Sequence, residues 1–239
     1  MSNSAKRVTI SSRRKHLAET VVLRDELPPL QGGDIRMRVD RVGLSANNLF
    51  YAQMGDAPFL KFFSVYPLAE EHKELANVPA WGIATVIESA NRDFTVGERF
   101  RGFLHMTNVV QMNARRTPEG FEAFGGARDK INQAYNAFLT VDPSGEAPVS
   151  GSGERAELAM TAAPGAGSGF ILYELLKMHN FYGGNSIVLT SGSSKLSLAT
   201  ALLLREERRK GSLRQLIAYT ASRHAAFVQS TGLYDRVIT

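Results

Sequence analysis

The sequence predicts an α/β chain: a β-rich first half, then a parallel βαβ unit in its last third. Three observations carry this. Two short apolar runs, Ser186-Ile-Val-Leu-Thr190 and Leu216-Ile-Ala-Tyr219, flank a stretch of good helix formers. Upstream, segments such as Ala18–Leu23 and Asp34–Val42 alternate apolar with polar residues, as half-buried strands do. Pro and Gly breaks at Leu27-Pro-Pro and Gly32-Gly separate those segments.

The βαβ unit is the most legible element. Ser186–Thr190 has the composition of a strand buried on both faces. Ser191-Gly-Ser-Ser-Lys195 breaks it, and Leu196–Lys210 reads as a helix with basic residues in its last turn and Gly211 just beyond. A parallel pair needs a crossover, which this helix supplies in a right-handed sense. After Arg223, Ala225–Thr231 reads as a short helix and Arg236-Val-Ile-Thr239 as the start of a third strand.

The two loops of the unit decide what it can bind. A turn that delivers a helix N-terminus presents free N–H groups and a positive dipole end to a phosphate. Here Gly192 is the single glycine, while Ser191, Ser193, Ser194 and Ser197 take the other small positions and Lys195 adds a charge. The GxGxxG fingerprint is not met, so a polar βα turn without a ligand stands beside the phosphate reading. A P-loop fits worse, because no Gly precedes Lys195 and Leu196 follows it. At the end of the second strand, an enzyme preferring NAD carries Asp or Glu for the ribose hydroxyls, and one using NADP carries a cation. Thr220, Ser222 and Arg223 stand there, with no acid until Asp235, which favours NADP(H) over NAD. The other account of Arg223 is an ordinary surface residue.

Composition sets bounds. The 239 residues, 44% hydrophobic, suffice for one large or two small domains. Without cysteine there are no disulfides or thiolate metal sites, which fits a reducing, cytoplasmic compartment. No apolar run reaches membrane-spanning length. The basic, Ser-rich start superficially suits a transit peptide, but Val8-Thr-Ile10 reads better as a first strand with a solvated basic face. A net charge of +5 raises the question of nucleic acid, yet the basic residues are dispersed and lack interleaved aromatics, so the expected partner is an anionic small molecule. A homodimer is the expected assembly.

In the first half, Trp81–Glu88 is a further strand, and Thr95-Val-Gly-Glu-Arg99 places a turn before another ending near Phe103. Strands at this spacing predict a small barrel or sandwich. The order of LQGGDIRMRVDRVGLSANNLFYAQMGD, VPAWGIATVIESANRDFTVGERFRGFL and the βαβ unit resembles the medium-chain dehydrogenase/reductase superfamily. The resemblance implies a GroES-like β domain over 1–153, including a connecting segment, and a partial Rossmann domain over 154–239. With no cysteine and no metal-ligand cluster in the β domain, the chain resembles the zinc-free quinone-oxidoreductase branch. Ser193-Ser-Lys195, Ala46–Tyr51, Pro79–Gly82 and Gly232–Asp235 read like a subgroup whose nucleotide loop ends in Ser-Ser-Lys. The resemblance further implies a truncated chain, because strands of the second Rossmann half are missing.

By the same resemblance, Asn47, Asn48 and Tyr51 fall in the loop that lines the nicotinamide and substrate cleft. Amides and a phenol suit orientation, not base catalysis at neutral pH. The other reading is an Asn-rich turn with a packed Tyr. Phe59, Phe62 and Phe63 form either an apolar wall for a flat substrate or simply core. His72 and His105, each without a placed partner, read as structural. The implied function is NADP(H)-dependent reduction of a quinone or an activated carbonyl or alkene. Its rival is a nucleotide-sensing or interaction protein that kept the fold without the chemistry.

Residues 113–168 are the least legible. Phe121–Phe124 and Ile131–Phe138 read as short helical pieces, and Gly145–Gly153 as a flexible loop. Glu154–Ala163 reads as a helix broken by Pro164-Gly-Ala-Gly167. A second helix runs from Ser168 to about Phe181 and packs Phe170, Leu175 and Met178 against the sheet.

Overall fold

A computed structural model describes residues 5–141 and 154–239. Its elements in chain order are β1 (Ala5–Arg13), β2 (His16–Leu27), β3 (Asp34–Gly43), α1 (Ala46–Met54) and α2 (Phe62–Val65). Next come β4 (Leu75–Ala76), β5 (Pro79–Ser89), β6 (Arg99–His105), β7 (Val109–Thr117), β8 (Gly120–Phe124) and β9 (Ala137–Thr140). The last are α3 (Glu154–Met178), β10 (Ser186–Thr190), α4 (Lys195–Arg209), β11 (Gln215–Tyr219), α5 (Ser222–Ser230) and β12 (Arg236–Ile238). The chain divides into two compact units, Met1–Thr161 and Ala162–Thr239. The flexible loop expected at Gly145–Gly153, and with it the expected domain boundary, lies outside the described residues.

The first unit is built on a closed barrel of order β3-β5-β6-β9-β8-β7, with a three-stranded sheet β2-β1-β4 beside it. Closure removes the free edges that an open sheet presents. Alternation along each strand sends Ile35, Met37, Val86, Phe100, Leu104, Val110, Phe121 and Phe138 inward as one core. Phe121 and Phe138 stack with centroids 4.5 Å apart. The Val-Gly-Glu-Arg turn forms as expected. Glu98 accepts the Thr95 N–H at 2.7 Å and also takes Arg116, whose guanidinium lies 4.2 Å over the Phe94 ring.

Two expectations for this unit are corrected. Phe121–Phe124 is barrel strand β8, and the end of the Ile131–Phe138 segment enters strand β9. The helical periodicity there belongs only to short 3-10 turns at Gly126–Lys130 and Gln133–Tyr135. Burial of Phe121 and Phe138 within the barrel overrides local propensity. In β1, Thr9 and Ser11 are the buried positions, while Ile10 faces outward opposite Val22. The solvated face is therefore partly apolar, and Arg7 turns to pair with Asp25.

The second unit holds a parallel sheet of order β10-β11-β12, so β10 lies at an edge. Thr190 and Tyr219 are in register, which brings the loops that follow β10 and β11 out at the same end of the sheet. Leu189, Ala201, Leu204, Leu213 and Leu216 form the core with Tyr173 of α3. The helix break expected at Pro164–Gly167 is absent: α3 runs unbroken through Pro164. Proline forfeits one backbone bond, but the glycines after it make a packing face. A Cβ on Gly165 would lie 2.8 Å from the Lys195 Cβ, and one on Gly169 would lie 2.8 Å from the Ala199 Cβ. The inward stripe of α3 is thus Gly165, Gly169, Tyr173 and Leu176, at helical spacing. Phe170, Leu175 and Met178, expected to pack inward, are exposed instead.

Candidate functional site

The loop from β10 into α4 is built from its serines. Ser194 caps the helix: its Oγ accepts the Ser197 N–H at 3.1 Å and donates to the Ser197 Oγ at 3.0 Å. Ser197 is buried and passes its own proton to the Thr190 carbonyl at 2.8 Å. The Ser194 N–H bonds the Ser191 carbonyl at 2.7 Å, closing a turn that places Ser191 at φ 50°. Gly192 is buried where no side chain fits, since a Cβ there would lie 2.7 Å from the Ala218 Cβ. Its N–H donates to the Tyr219 carbonyl at 3.1 Å, tying this loop to the end of β11, and its carbonyl accepts the Tyr234 hydroxyl at 3.0 Å. Burial pushes the Tyr234 phenol up to about 12, so it stays a donor at any physiological pH.

These bonds sort the expected loop residues. Gly192, Ser194 and Ser197 shape the turn. Ser191 and Lys195 are exposed, Ser193 is half-buried, and the amides of Ser193 and Leu196 have no acceptor among the described residues. The helix therefore starts with unsatisfied N–H groups beside three serines and an ammonium, the arrangement that suits a phosphate.

At the end of β11, Thr220 is buried and its N–H donates to the Ile238 carbonyl at 2.9 Å. Ser222 and Arg223 open α5 on the exposed side. Arg223 Nε donates to His224 Nε2 at 3.1 Å, and no carboxylate pairs with Arg223 among the described residues. Asp235 works at the other end of β11. It accepts the Leu216 N–H at 2.8 Å and pairs with Arg208, so it is no candidate for a ribose hydroxyl.

In the first unit, Asn48 is a structural bond-maker. Its Oδ1 accepts the Ser45 N–H at 2.6 Å at the start of α1, and its amide donates to the Pro79 carbonyl at 2.9 Å. Tyr51 is buried against Phe62 and Phe103, with ring centroids 5.3 and 5.6 Å away. Burial raises its phenol, and the nearby Trp81 indole and Asn47 amide partly offset that. Asn47 itself is exposed. Phe62 and Phe63 are core, whereas Phe59 is exposed. His105 is buried, stacked 4.2 Å from the Tyr66 ring, with Nδ1 2.9 Å from Asn77 Oδ1. Burial, reinforced by the charges of Arg7 and Arg128, lowers it to about 3, so it is a neutral structural group. Sequence reasoning missed Tyr234, whose hydroxyl donates to the Gly192 carbonyl of the loop. Tyr234 was within reach, as the only hydroxyl-bearing ring in the Gly232–Asp235 segment already singled out.

Among the described residues no group of three or more His, Asp or Glu is placed to hold a metal, and no helix is long and apolar enough to cross a membrane. The family model described as "Protein of unknown function (DUF2855)" matches residues 42–239. No curated protein matches the chain. Among solved structures, the chain is similar to the JamJ enoyl reductase at 11% identity and TM-score 0.55, covering 98% of this chain and 60% of that one. It is similar to the quinone oxidoreductase of Coxiella burnetii at 12% identity and TM-score 0.50, covering 98% and 62%. A protein of Bacillus thuringiensis assigned as an NADPH:quinone reductase gives 11% identity and TM-score 0.50, covering 98% and 58%. The chain thus spans less than two thirds of the length of these structures, with which it shares a fold.

Proposed function

The chain belongs to that family of unknown function, and we propose that it is an NADP(H)-dependent oxidoreductase reducing a quinone or an activated carbonyl or alkene. In this reading the barrel unit is a GroES-like domain. The parallel unit is the first half of a Rossmann domain whose nucleotide loop ends in Ser-Ser-Lys, on the zinc-free branch of the medium-chain superfamily. The observation that carries the reading is the joined pair of loops beyond β10 and β11. They are linked by the Gly192 N–H to the Tyr219 carbonyl, lined by hydroxyls and cations, and contain no carboxylate.

The residues present fit a phosphorylated pyridine nucleotide. The unsatisfied amides of Ser193 and Leu196, with the hydroxyls of Ser191 and Ser193 and the Lys195 ammonium, would hold a diphosphate. Arg223, with Ser222 beside it, would take the additional ribose phosphate, and Thr220, Gly192 and Ser194 hold the loops in shape. The nucleotide, when bound, supplies a hydride. Tyr51 keeps its proton at neutral pH because burial raises its phenol, so it can donate a hydrogen bond to a substrate oxygen. Asn48 has one amide hydrogen and one lone pair left for orienting a ligand.

The test is to mix the protein with NADPH and menadione and follow loss of reduced-nicotinamide absorbance. Quinone-dependent oxidation supports the reading, and NADPH binding without any turnover across quinones and enones overturns the enzyme assignment. That second outcome is what the rival reading, a nucleotide-sensing protein, expects. The commitment of the Asn48 amide to Ser45 and Pro79 favours the rival.

A further inference from the structure

The aromatic cluster of the first unit contains more hydrogen-bond donors than its packing uses. Phe103 sits among the rings of Tyr51, Trp81 and Tyr135, with centroids 5.6, 5.3 and 4.7 Å away. Trp81 and Tyr135 lie 6.1 Å apart at 35°. Three of these four rings carry polar heads. Trp81 Nε1 is buried with no hydrogen-bond partner among the described residues, although the Tyr51 hydroxyl lies near it. The Tyr135 phenol is raised by burial and then by the proximity of Tyr51, so the two hydroxyls feel each other's charge.

A buried N–H without an acceptor costs on the order of 1–3 kcal/mol, and phenylalanine would pack the same space without that cost. The heads share one further property: all three can donate, and among the described residues no cation acts on the two phenols. A carboxylate or phosphate ligand would lack a counter-charge here, whereas a neutral carbonyl oxygen would accept from all three. Such an oxygen gains negative charge when a conjugated carbonyl compound is reduced, and preplaced donors then bind it more strongly.

We infer that Trp81 and Tyr135 join Tyr51 as a three-donor site for the oxygen of a conjugated carbonyl ligand of the quinone class. The choice of a quinone rests on the reductase reading; the donor site itself does not. Trp81 is the single tryptophan of the chain, so its emission reports occupancy directly.

The experiment measures binding of menadione, with 2-methylnaphthalene as the matched ring lacking oxygens. In the wild type, menadione quenches Trp81 emission saturably. By equilibrium dialysis, Trp81→Phe, Tyr135→Phe and Tyr51→Phe each weaken menadione about tenfold, the loss of one hydrogen bond. Binding of the hydrocarbon and of NADPH stays at the wild-type level, and circular dichroism confirms that each variant is folded. Equal menadione binding in all four proteins, or quenching that rises linearly without saturation, overturns the site. So does a Trp81→Phe variant that gains stability with no change in binding, since the indole would then be merely structural. Menadione binding with the expected losses but no NADPH oxidation keeps the site and removes the reductase reading. NADPH oxidation whose KM for menadione ignores all three substitutions does the reverse.

Discussion

The two units of this chain solve opposite problems. The barrel closes its hydrogen-bond ladder on itself and fills its interior with large side chains such as Phe100, Phe121 and Phe138, leaving no strand edge. The parallel unit is open: β10 lies at an edge, Val188 is exposed, and its helices show Leu202 and Phe227 to solvent. Its helices and loop approach closely through glycines, at Gly165 and Gly169 against α4 and at Gly192 against Ala218. The barrel also uses glycine for close approach, at Gly82, Gly102 and Gly120, but packs large side chains around it, whereas the parallel unit leaves the loop amides of Ser193 and Leu196 without an acceptor among the described residues. The second arrangement is the one that can meet a phosphate, because an anion needs N–H groups that the fold has not already used.

This contrast can be broken by substitution. Phe100→Ala should have the largest effect, a loss of about 3–5 kcal/mol for a fully buried ring in a closed barrel. Denaturant unfolding followed separately at Trp81 and by far-UV circular dichroism checks it. A loss under about 1 kcal/mol would mean that the barrel interior repacks and is not the rigid half. Gly169→Val should cost about 1–3 kcal/mol, because its Cβ would meet the Ala199 Cβ at 2.8 Å and the Thr200 nitrogen at 3.0 Å. The loss should appear in helical signal rather than at Trp81. A neutral result would show that α3 does not depend on glycine to approach α4.

The barrel should also carry a pH signature of its own. His105 is held at about 3 in the folded state against 6.5 unfolded. Below 6.5 the unfolded chain takes up a proton that the native chain refuses, so stability is full above that value and falls as pH drops toward 3. Between pH 7 and 5 the loss from this group is about 2 kcal/mol. His105→Gln, which keeps a partner for Asn77, should flatten that slope. An unchanged slope would place the pH dependence elsewhere.

The same contrast explains what was legible in the sequence. Ser186–Thr190 was bounded correctly to the residue by its apolar run with polar ends, but the expected burial on both faces is corrected: β10 is an edge strand, with Leu189 buried and Val188 exposed. Arg223 and the serine loop could be placed at one end of the sheet by topology alone. The face of α3 could not, because hydrophobicity picks out Phe170, Leu175 and Met178, whereas packing chose the small residues that let helices approach. Strands β8 and β9 were misread because their register is set by barrel closure, a non-local constraint invisible in residues 120–140. In the candidate site, residue types were readable but their commitments were not. Nothing in the order Asn47-Asn48 says that the second amide is held by Ser45 and Pro79 while the first is exposed.

The central claim is that the outward loops of the parallel unit bind a reduced nucleotide through its phosphates, with Arg223 selecting the extra one. Titration of NADPH and NADH into the wild type and Arg223→Glu tests it most directly. The account expects the wild type to prefer NADPH, and the variant to lose NADPH affinity by about tenfold or more while NADH changes little. Equal losses for both nucleotides, or no measurable binding of either to the wild type, would contradict it.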